Sequence, residues 1–480
     1  MARNAFWLSV CRIAADVLSF VFFAAVSRTF GPAGIGEYSY AFAIGGFVAL
    51  LATSGYEEFG IRQYVQLQGE RRAAAWRSLL LAQAVQLTLM LGGFALFLLL
   101  AGGRHARVSV IVELSIFLTG WGLSRTLYVP AIAAESMSRP ALTELACRTA
   151  AIVFAFALLA LTVPTLPLLL LGFPIGAVAL VWLAVRNAAG HGAAVLPGGN
   201  WPAALQAARG TAPFFGSETL NQFYARADLL LIAYLLGTRS VGLYATGLKF
   251  IETGIVPLVL IGTAAYPLLS DNAGRRCPQF ADLSRDFVRT ILLLSGWLAI
   301  GIAFVVPPLI VPIFGGDFAE TRTYLPWFAA LAVLKGGEVA LYRLLYSVRR
   351  QGSYFVSLCV GTVLMVTLNL VLIPRLGMLG AVLAAIASVS AVDVLCACAL
   401  RREVPLRTLA PLIVRLGLAL AASAALALLI QEMVGAGWWV AGAAGVSFPV
   451  FGSLVGLLPH PRRSQLFLPD ALRPGQLTNR

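Results

Sequence analysis

Four pairs of opposite charge sit at helical spacing inside long apolar runs of this chain. Arg12 and Asp16, and Glu144 and Arg148, are four residues apart; Lys249 and Glu252, and Lys335 and Glu338, are three apart. On a helix either spacing puts both partners on one face, where they neutralise each other or serve a charged visitor. Glu218, Arg226, Asp228 and Arg343 lie in the same kind of apolar surroundings. An ionisable group at mid-membrane costs about 2.5–3.5 kcal/mol on insertion scales, so each is a functional candidate by default. The alternative is that such pairs only hold helices together. That suffices for any one pair, but four of them weigh against a purely structural role.

Lysine usage bears on the same question. The chain has only two lysines, Lys249 and Lys335, and both lie in predicted helices, whereas arginine fills every loop. A compact, titratable ammonium differs from a guanidinium, so these two positions are places where that difference can matter. Arg125 and Arg415 fall near helix ends, where a long side chain snorkels to the interface. Glu113 and Asp393 are single acids whose partners the sequence does not reveal. Glu57, Glu58 and Arg62 close the second predicted helix, as a gate or as a plain interfacial cluster.

The elements that carry these residues follow from composition. Hydrophobic residues make up 59% of the chain and charged residues 12%, against about 25% charged in a typical soluble protein. Apolar stretches of about 20 residues, the length that crosses a bilayer, recur from end to end. The sequence therefore predicts an all-α, polytopic membrane protein with about fourteen transmembrane helices. The first apolar stretch contains Arg12 and Asp16 and lacks a convincing cleavage site, so it is read as a retained helix and not a signal peptide.

The net charge of +14 reports topology and some attraction to anionic lipid, with no nucleic-acid partner. Arginines crowd alternate loops, for example Arg62, Arg71, Arg72 and Arg77, then Arg275, Arg276, Arg285 and Arg289, then Arg401, Arg402 and Arg407. The intervening loops hold just Arg28, Arg104, Arg107, Arg239, Arg322 and Arg375. By the positive-inside rule both termini are cytoplasmic and the helix count is even. The cysteines lie in helices or a cytoplasmic loop, and His105, His191 and His460 are scattered. Neither a disulfide, a metal site nor a resident cofactor is expected, and no nucleophile or catalytic dyad is visible.

A duplication organises the helices. Residues 28–40, Arg-Thr-Phe-Gly-Pro-Ala-Gly-Ile-Gly-Glu-Tyr-Ser-Tyr, are answered by residues 234–246, Tyr-Leu-Leu-Gly-Thr-Arg-Ser-Val-Gly-Leu-Tyr-Ala-Thr, with Gly31/Gly237, Gly36/Gly242 and Tyr38/Tyr244 in one register. Each segment sits between two apolar runs, so one hairpin opens each half of the chain. The expected organisation is a six-helix lobe over 1–186, a Gly/Ala/Pro-rich cytoplasmic linker over 187–211, and a second six-helix lobe over 212–400 as a parallel repeat. Two further helices over 401–459 and a cytoplasmic tail over 460–480 complete it. Pro257 and Pro267, and Pro307, Pro308 and Pro312, are expected to kink their helices.

Four stretches carry a family resemblance. They are Asn4 through the 28–40 segment to Gly55 and Arg62; Asp228 to Ser270, with Gly-Leu-Tyr-Ala-Thr-Gly-Leu-Lys-Phe and Tyr-Pro-Leu-Leu-Ser; Pro312-Ile-Phe-Gly-Gly-Asp-Phe; and Ile373-Pro-Arg-Leu-Gly-Met-Leu-Gly-Ala-Val-Leu-Ala-Ala. In order and spacing the chain resembles the oligosaccharide flippases, the Wzx-type polysaccharide exporters of the multidrug/oligosaccharidyl-lipid/polysaccharide superfamily. The resemblance implies two six-helix bundles around a cationic cavity, two further helices, and alternating access. It also implies a polyprenyl-pyrophosphate-linked oligosaccharide as cargo, turned to the outer leaflet of a bacterial cytoplasmic (inner) membrane for O-antigen, capsule or exopolysaccharide synthesis. A polysaccharide polymerase and a chain-length regulator would be the accompanying proteins.

Under that reading Arg12, Arg148, Arg226, Lys249, Lys335 and Arg343 are the candidates to contact the anionic head group. Asp16, Glu218, Asp228, Glu252 and Glu338 are candidates to tune them or to couple transport to a proton or sodium gradient, and Arg62 is a gating candidate. Helix position and sidedness select these residues, since the family motifs do not fix them. Other readings are a drug/cation antiporter, which arginine in the cavity disfavours, and a peptidoglycan-precursor flippase, which the same chemistry would serve. A membrane glycosyltransferase or polymerase is disfavoured by the short outer loops, where Asp317 and Glu320 are the main acids.

Overall fold

The computed structural model describes residues 2–101, 106–161, 165–274, 280–404, 406–434 and 438–455. Among these, regular structure is entirely helical. This follows from the solvent, because lipid offers backbone groups no partners and a helix satisfies them within itself. The chain divides into two compact units, Met1–Gly242 and Leu243–Arg480.

The first unit contains α1 (Ala2–Thr53), α2 (Tyr56–Gln66), α3 (Gly69–Ala101), α4 (Val108–Leu127), α5 (Val129–Ala133), α6 (Ser138–Leu161), α7 (Leu166–Leu170), α8 (Gly172–Gly190) and α9 (Trp201–Leu236). α1 is two helices run together across Gly31, whose φ of 65° breaks the helical path. Phe22 of α1, Phe117 of α4 and Phe173 of α8 form its aromatic core, with Phe173 5.0 Å from each of the other two rings. Close approach is provided by small residues, as where Gly120 faces Ala177, the usual device when lipid removes the hydrophobic drive between helices.

The second unit follows α10 (Thr238–Gly274), which begins in the first. It contains α11 (Phe280–Ile300), a π-helical turn (Gly301–Val305), α12 (Val306–Phe314), a 3-10 segment (Gly316–Tyr324), α13 (Leu325–Ser347), α14 (Gln351–Leu376), α15 (Met378–Leu400), α16 (Leu406–Val434) and α17 (Trp438–Leu454). The π turn sits just ahead of Pro307 and Pro308, which lack the amide protons that a continuous helix would use. Pro257 and Pro267 lie inside α10. α16 and α17 pack on α11, where Phe448 lies fully buried beneath Gly296 and Trp297 donates to the Gly445 carbonyl at 3.2 Å. They contribute Leu412, Leu416, Ala419 and Phe448 to the buried core of the second unit.

Among the described residues, the apolar stretches read from the sequence fall on helices. Among the described residues ten helical runs are long and apolar enough to cross a membrane, fewer than the fourteen expected, for physical reasons. The first two stretches form one run, Val10–Gln66, and Gly442–Leu454 is shorter than a full span. α9 and α13 carry the charges, Arg209, Glu218, Arg226 and Asp228 in one and Lys335, Glu338 and Arg343 in the other.

Two boundaries differ from expectation. α9 starts at Trp201 and not near 212, because Asn200 caps it by accepting the Ala203 amide at 3.0 Å and Pro202 fits the first turn. The stretch before it is anchored: Trp76 Nε1 donates to the Ala194 carbonyl at 2.8 Å, and the Gly198 amide to that of Arg77 at 3.3 Å. The second expected helix breaks at Gly55, whose φ is 81°, and α2 begins beyond it with Glu57 and Glu58 in its first turn. The tail 460–480, Cys277, His105 and His460 lie outside the described residues.

The duplicated segments meet each other inside the first unit. Gly31 and Gly237 are equivalent and both have positive φ, 65° and 84°. A Cβ placed on Gly36 would lie 1.8 Å from the Thr238 carbonyl oxygen, and one on Gly242 would lie 1.9 Å from the Pro32 carbonyl oxygen. Pro32 and Thr238 are themselves equivalent positions of the repeat. Each copy thus presses its glycine onto the other's opening carbonyl, as a local two-fold relation requires.

Candidate functional site: charged clusters within the helices

In the first unit the charges gather around one indole. Arg148 of α6 reaches Glu144 at 3.6 Å, and Arg125 of α4 reaches Glu57 of α2 at 2.6 Å. Both guanidinium carbons lie beside the Trp121 ring, at 5.6 and 5.8 Å, within the range of a cation–π attraction. Glu218 of α9 accepts the Ser54 hydroxyl at the break between α1 and α2. Sequence reasoning treated Arg125 as a snorkelling end residue and missed Trp121 and Ser54, because only the tertiary fold brings them together.

The other predicted residues of this unit are dispersed. Arg12 pairs with Asp16 at 3.6 Å with its side chain 65% exposed. Arg226 lies 5.9 Å from the Phe42 ring, and Asp228 is buried, one oxygen accepting the Leu229 amide at 2.7 Å. Arg62 is exposed on α2. Glu113 keeps a buried oxygen without a hydrogen-bond partner among the described residues.

In the second unit the cluster runs along α13. Lys335 Nζ donates to Glu338 Oε2 at 2.8 Å, and the Tyr354 hydroxyl of α14 lies 3.4 Å from Glu338 Oε1. Asp393 of α15 faces Gly337, where a Cβ would lie 3.1 Å from its Oδ2, and its Oδ1 is buried without a partner among the described residues. Asp393 thus lies in the electrostatic reach of the Lys335–Glu338 pair, giving a group of two carboxylates and one ammonium. Lys249 and Glu252 of α10 pair more loosely, at 3.9 Å.

Arg343 differs from the other cations. Its Nη2 donates to Thr263 Oγ1 of α10 at 2.8 Å, its guanidinium lies 5.0 Å from the Tyr342 ring, and its buried Nε has no hydrogen-bond partner among the described residues. No acid lies within ion-pair distance of it among those residues. A guanidinium with a spare, partly desolvated donor is prepared for an acceptor from outside.

Lys335→Leu would leave Glu338 and Asp393 together without a cation. Removing one partner of a buried pair costs about 3 kcal/mol or more, so the variant is expected to melt well below the parent near neutral pH. Melting curves in detergent check this; a parent-like melting temperature would contradict the cluster.

The long apolar helical runs among the described residues define a multi-pass membrane protein. The likenesses agree. The structure is similar to the lipid II flippase MurJ in an inward closed conformation, with a TM-score of 0.73 at 14% identity, over 93% of this chain and 98% of that one. It is also similar to an inward-facing multidrug resistance MATE family transporter of the MOP superfamily, with a TM-score of 0.59 at 12% identity, over 82% and 94%. A third likeness is an outward-facing multidrug resistance MATE family transporter of the same superfamily, at 0.55 and 13%, over 84% and 95%. No curated protein matches the sequence. The family model for polysaccharide biosynthesis proteins matches residues 1–273, and the chain belongs to that family.

Proposed function

We propose that this protein is a flippase that moves polyprenyl-pyrophosphate-linked oligosaccharide repeat units from the cytoplasmic to the outer leaflet by alternating access. Membership of the polysaccharide biosynthesis family supports a glycan cargo. The observation that carries the reading is Arg343, a guanidinium inside a membrane helix with a spare donor and no acid beside it among the described residues. The pyrophosphate of such a lipid is the part that hydrocarbon excludes, and a preorganised cation lowers its barrier. Arg148 and Arg226, held beside aromatic rings, and Arg12, Lys249 and Lys335 supply further positive charge along the path.

In this reading the protein has about fourteen crossing helices with both termini in the cytoplasm of a bacterial cell. α9 and α13 cross despite their charges because those charges line the path and not the lipid. The acids couple the motion to a proton or sodium gradient, with Glu338 and Asp393 the best-placed pair and Asp16, Glu218, Asp228 and Glu252 adjusting the cations. A polymerase and a chain-length regulator would receive the product. A peptidoglycan precursor is the second reading for the cargo, favoured by the likeness to the lipid II flippase over nearly the whole chain; the same pyrophosphate chemistry would serve it.

Proteoliposomes test the flipping step. Purified protein is reconstituted with a polyprenyl-pyrophosphate disaccharide in both leaflets, and a membrane-impermeant label is added outside. The labelled fraction is expected to climb past the outer-leaflet share only when protein is present. A fraction that stays at the protein-free level would oppose the reading.

A further inference from the structure

The end of α13 and the start of α14 bring three tyrosines together. The Tyr342 and Tyr346 rings lie 5.7 Å apart at 75°, Tyr342 and Tyr354 5.6 Å apart at 38°, and Tyr346 and Tyr354 5.9 Å apart at 79°. All three residues are partly exposed. A trio serving only to pack helices would need rings alone, and phenylalanine supplies those without hydroxyls that hydrocarbon penalises. The trio instead lies between two polar groups. At one side Arg343 sits 5.0 Å from the Tyr342 ring with its unpartnered Nε; at the other, the Tyr354 hydroxyl meets the Glu338 carboxylate.

We propose that Tyr342, Tyr346 and Tyr354 form a stacking platform for the sugar ring next to the pyrophosphate, with Arg343 taking a phosphate oxygen and Glu338 accepting from a sugar hydroxyl. The proposal rests on the flippase reading and adds to it the part of the cargo that is read. A pyranose presents an apolar face of C–H groups that an aromatic ring covers, and a rim of hydroxyls that a carboxylate accepts from. A glycosyl phosphate therefore needs a guanidinium, an aromatic face and a carboxylate in a row, which is the order found here. Stacking tolerates different sugars, so the platform recognises that a glycan is attached without fixing its sequence. The arginines Arg349 and Arg350 that follow α13 put the platform at the end expected to face the cytoplasm, where the loaded lipid is collected.

Binding to full-length protein in nanodiscs tests this with two probes, undecaprenyl pyrophosphate carrying one N-acetylglucosamine and undecaprenyl pyrophosphate with no sugar. The parent is expected to prefer the glycosylated probe. Replacing Tyr346 and Tyr354 together by leucine, which keeps bulk and removes the aromatic faces, should weaken the glycosylated probe roughly tenfold, about 1.4 kcal/mol, and leave the bare probe within about twofold. The pair Tyr346→Phe and Tyr354→Phe should retain most of the preference, and a melting curve confirms that each variant is folded. If the leucine variant does not fold, the comparison moves to Tyr346→Leu alone with the same expected pattern. Leucine variants that bind both probes like the parent, or lose both equally, overturn the platform while leaving the flippase reading intact. A parent that binds neither probe overturns both.

Discussion

Gly36→Ala and Gly242→Ala are each expected to strip most of the folded protein from the membrane. The added Cβ would lie 1.8 Å from the Thr238 carbonyl oxygen in one case and 1.9 Å from that of Pro32 in the other. No rotamer can relieve this, because both partners are backbone. The segments must move apart, and overpacking of this kind costs about 3 kcal/mol or more. The repeat makes the two losses equivalent, so the variants should show matching falls in membrane abundance and in detergent melting temperature. Gly417→Ala is the control: nothing lies within 4 Å of its added Cβ, and an exposed helical glycine replaced by alanine gains about 0.5–1 kcal/mol. Parent-like abundance for Gly36→Ala would mean that the close crossing of the duplicated segments is wrong.

Arg343→Ala is expected to lower flipping by roughly ten- to a hundredfold, the worth of a charge-assisted hydrogen bond of about 1.5–3 kcal/mol. Protein abundance should stay near the parent's, since the side chain neutralises no acid among the described residues and its hydrogen bond goes to the neutral hydroxyl of Thr263 at 2.8 Å. Arg343→Lys should recover only part of the activity, because an ammonium keeps the charge and loses the planar fork that grips phosphate. Initial rates of leaflet exchange in proteoliposomes, normalised to reconstituted protein, make the comparison. Equal rates in the three proteins would remove Arg343 from the binding path.

How much of this was legible in the residues differs by feature. Helices were, because an apolar run about 20 residues long in lipid has one backbone solution. The paired charges were, since helical spacing alone sets which neighbours meet, and each predicted pair lies within 4 Å. The repeat of Gly36 and Gly242 was visible as a pattern, but its physical meaning was not: nothing local tells that each glycine rests on the other copy's carbonyl. Asp393 had no readable partner because Lys335 and Glu338 come to it from another helix. Trp121 and Thr263 were missed for the same reason, as neither residue type stands out before its neighbour arrives. The start of α9 was carried by the Asn200 cap and Pro202, a local signal that a hydropathy window overlooks.

The central claim, that this protein carries a lipid-linked saccharide across the membrane, is tested most directly by depleting it in its native host. Polyprenyl-linked saccharides are then measured by mass spectrometry, with a glycan label applied only from outside. The account predicts a repeat unit that accumulates and stays inaccessible to the label. Lipid-linked pools of unchanged size and unchanged outside labelling would contradict it.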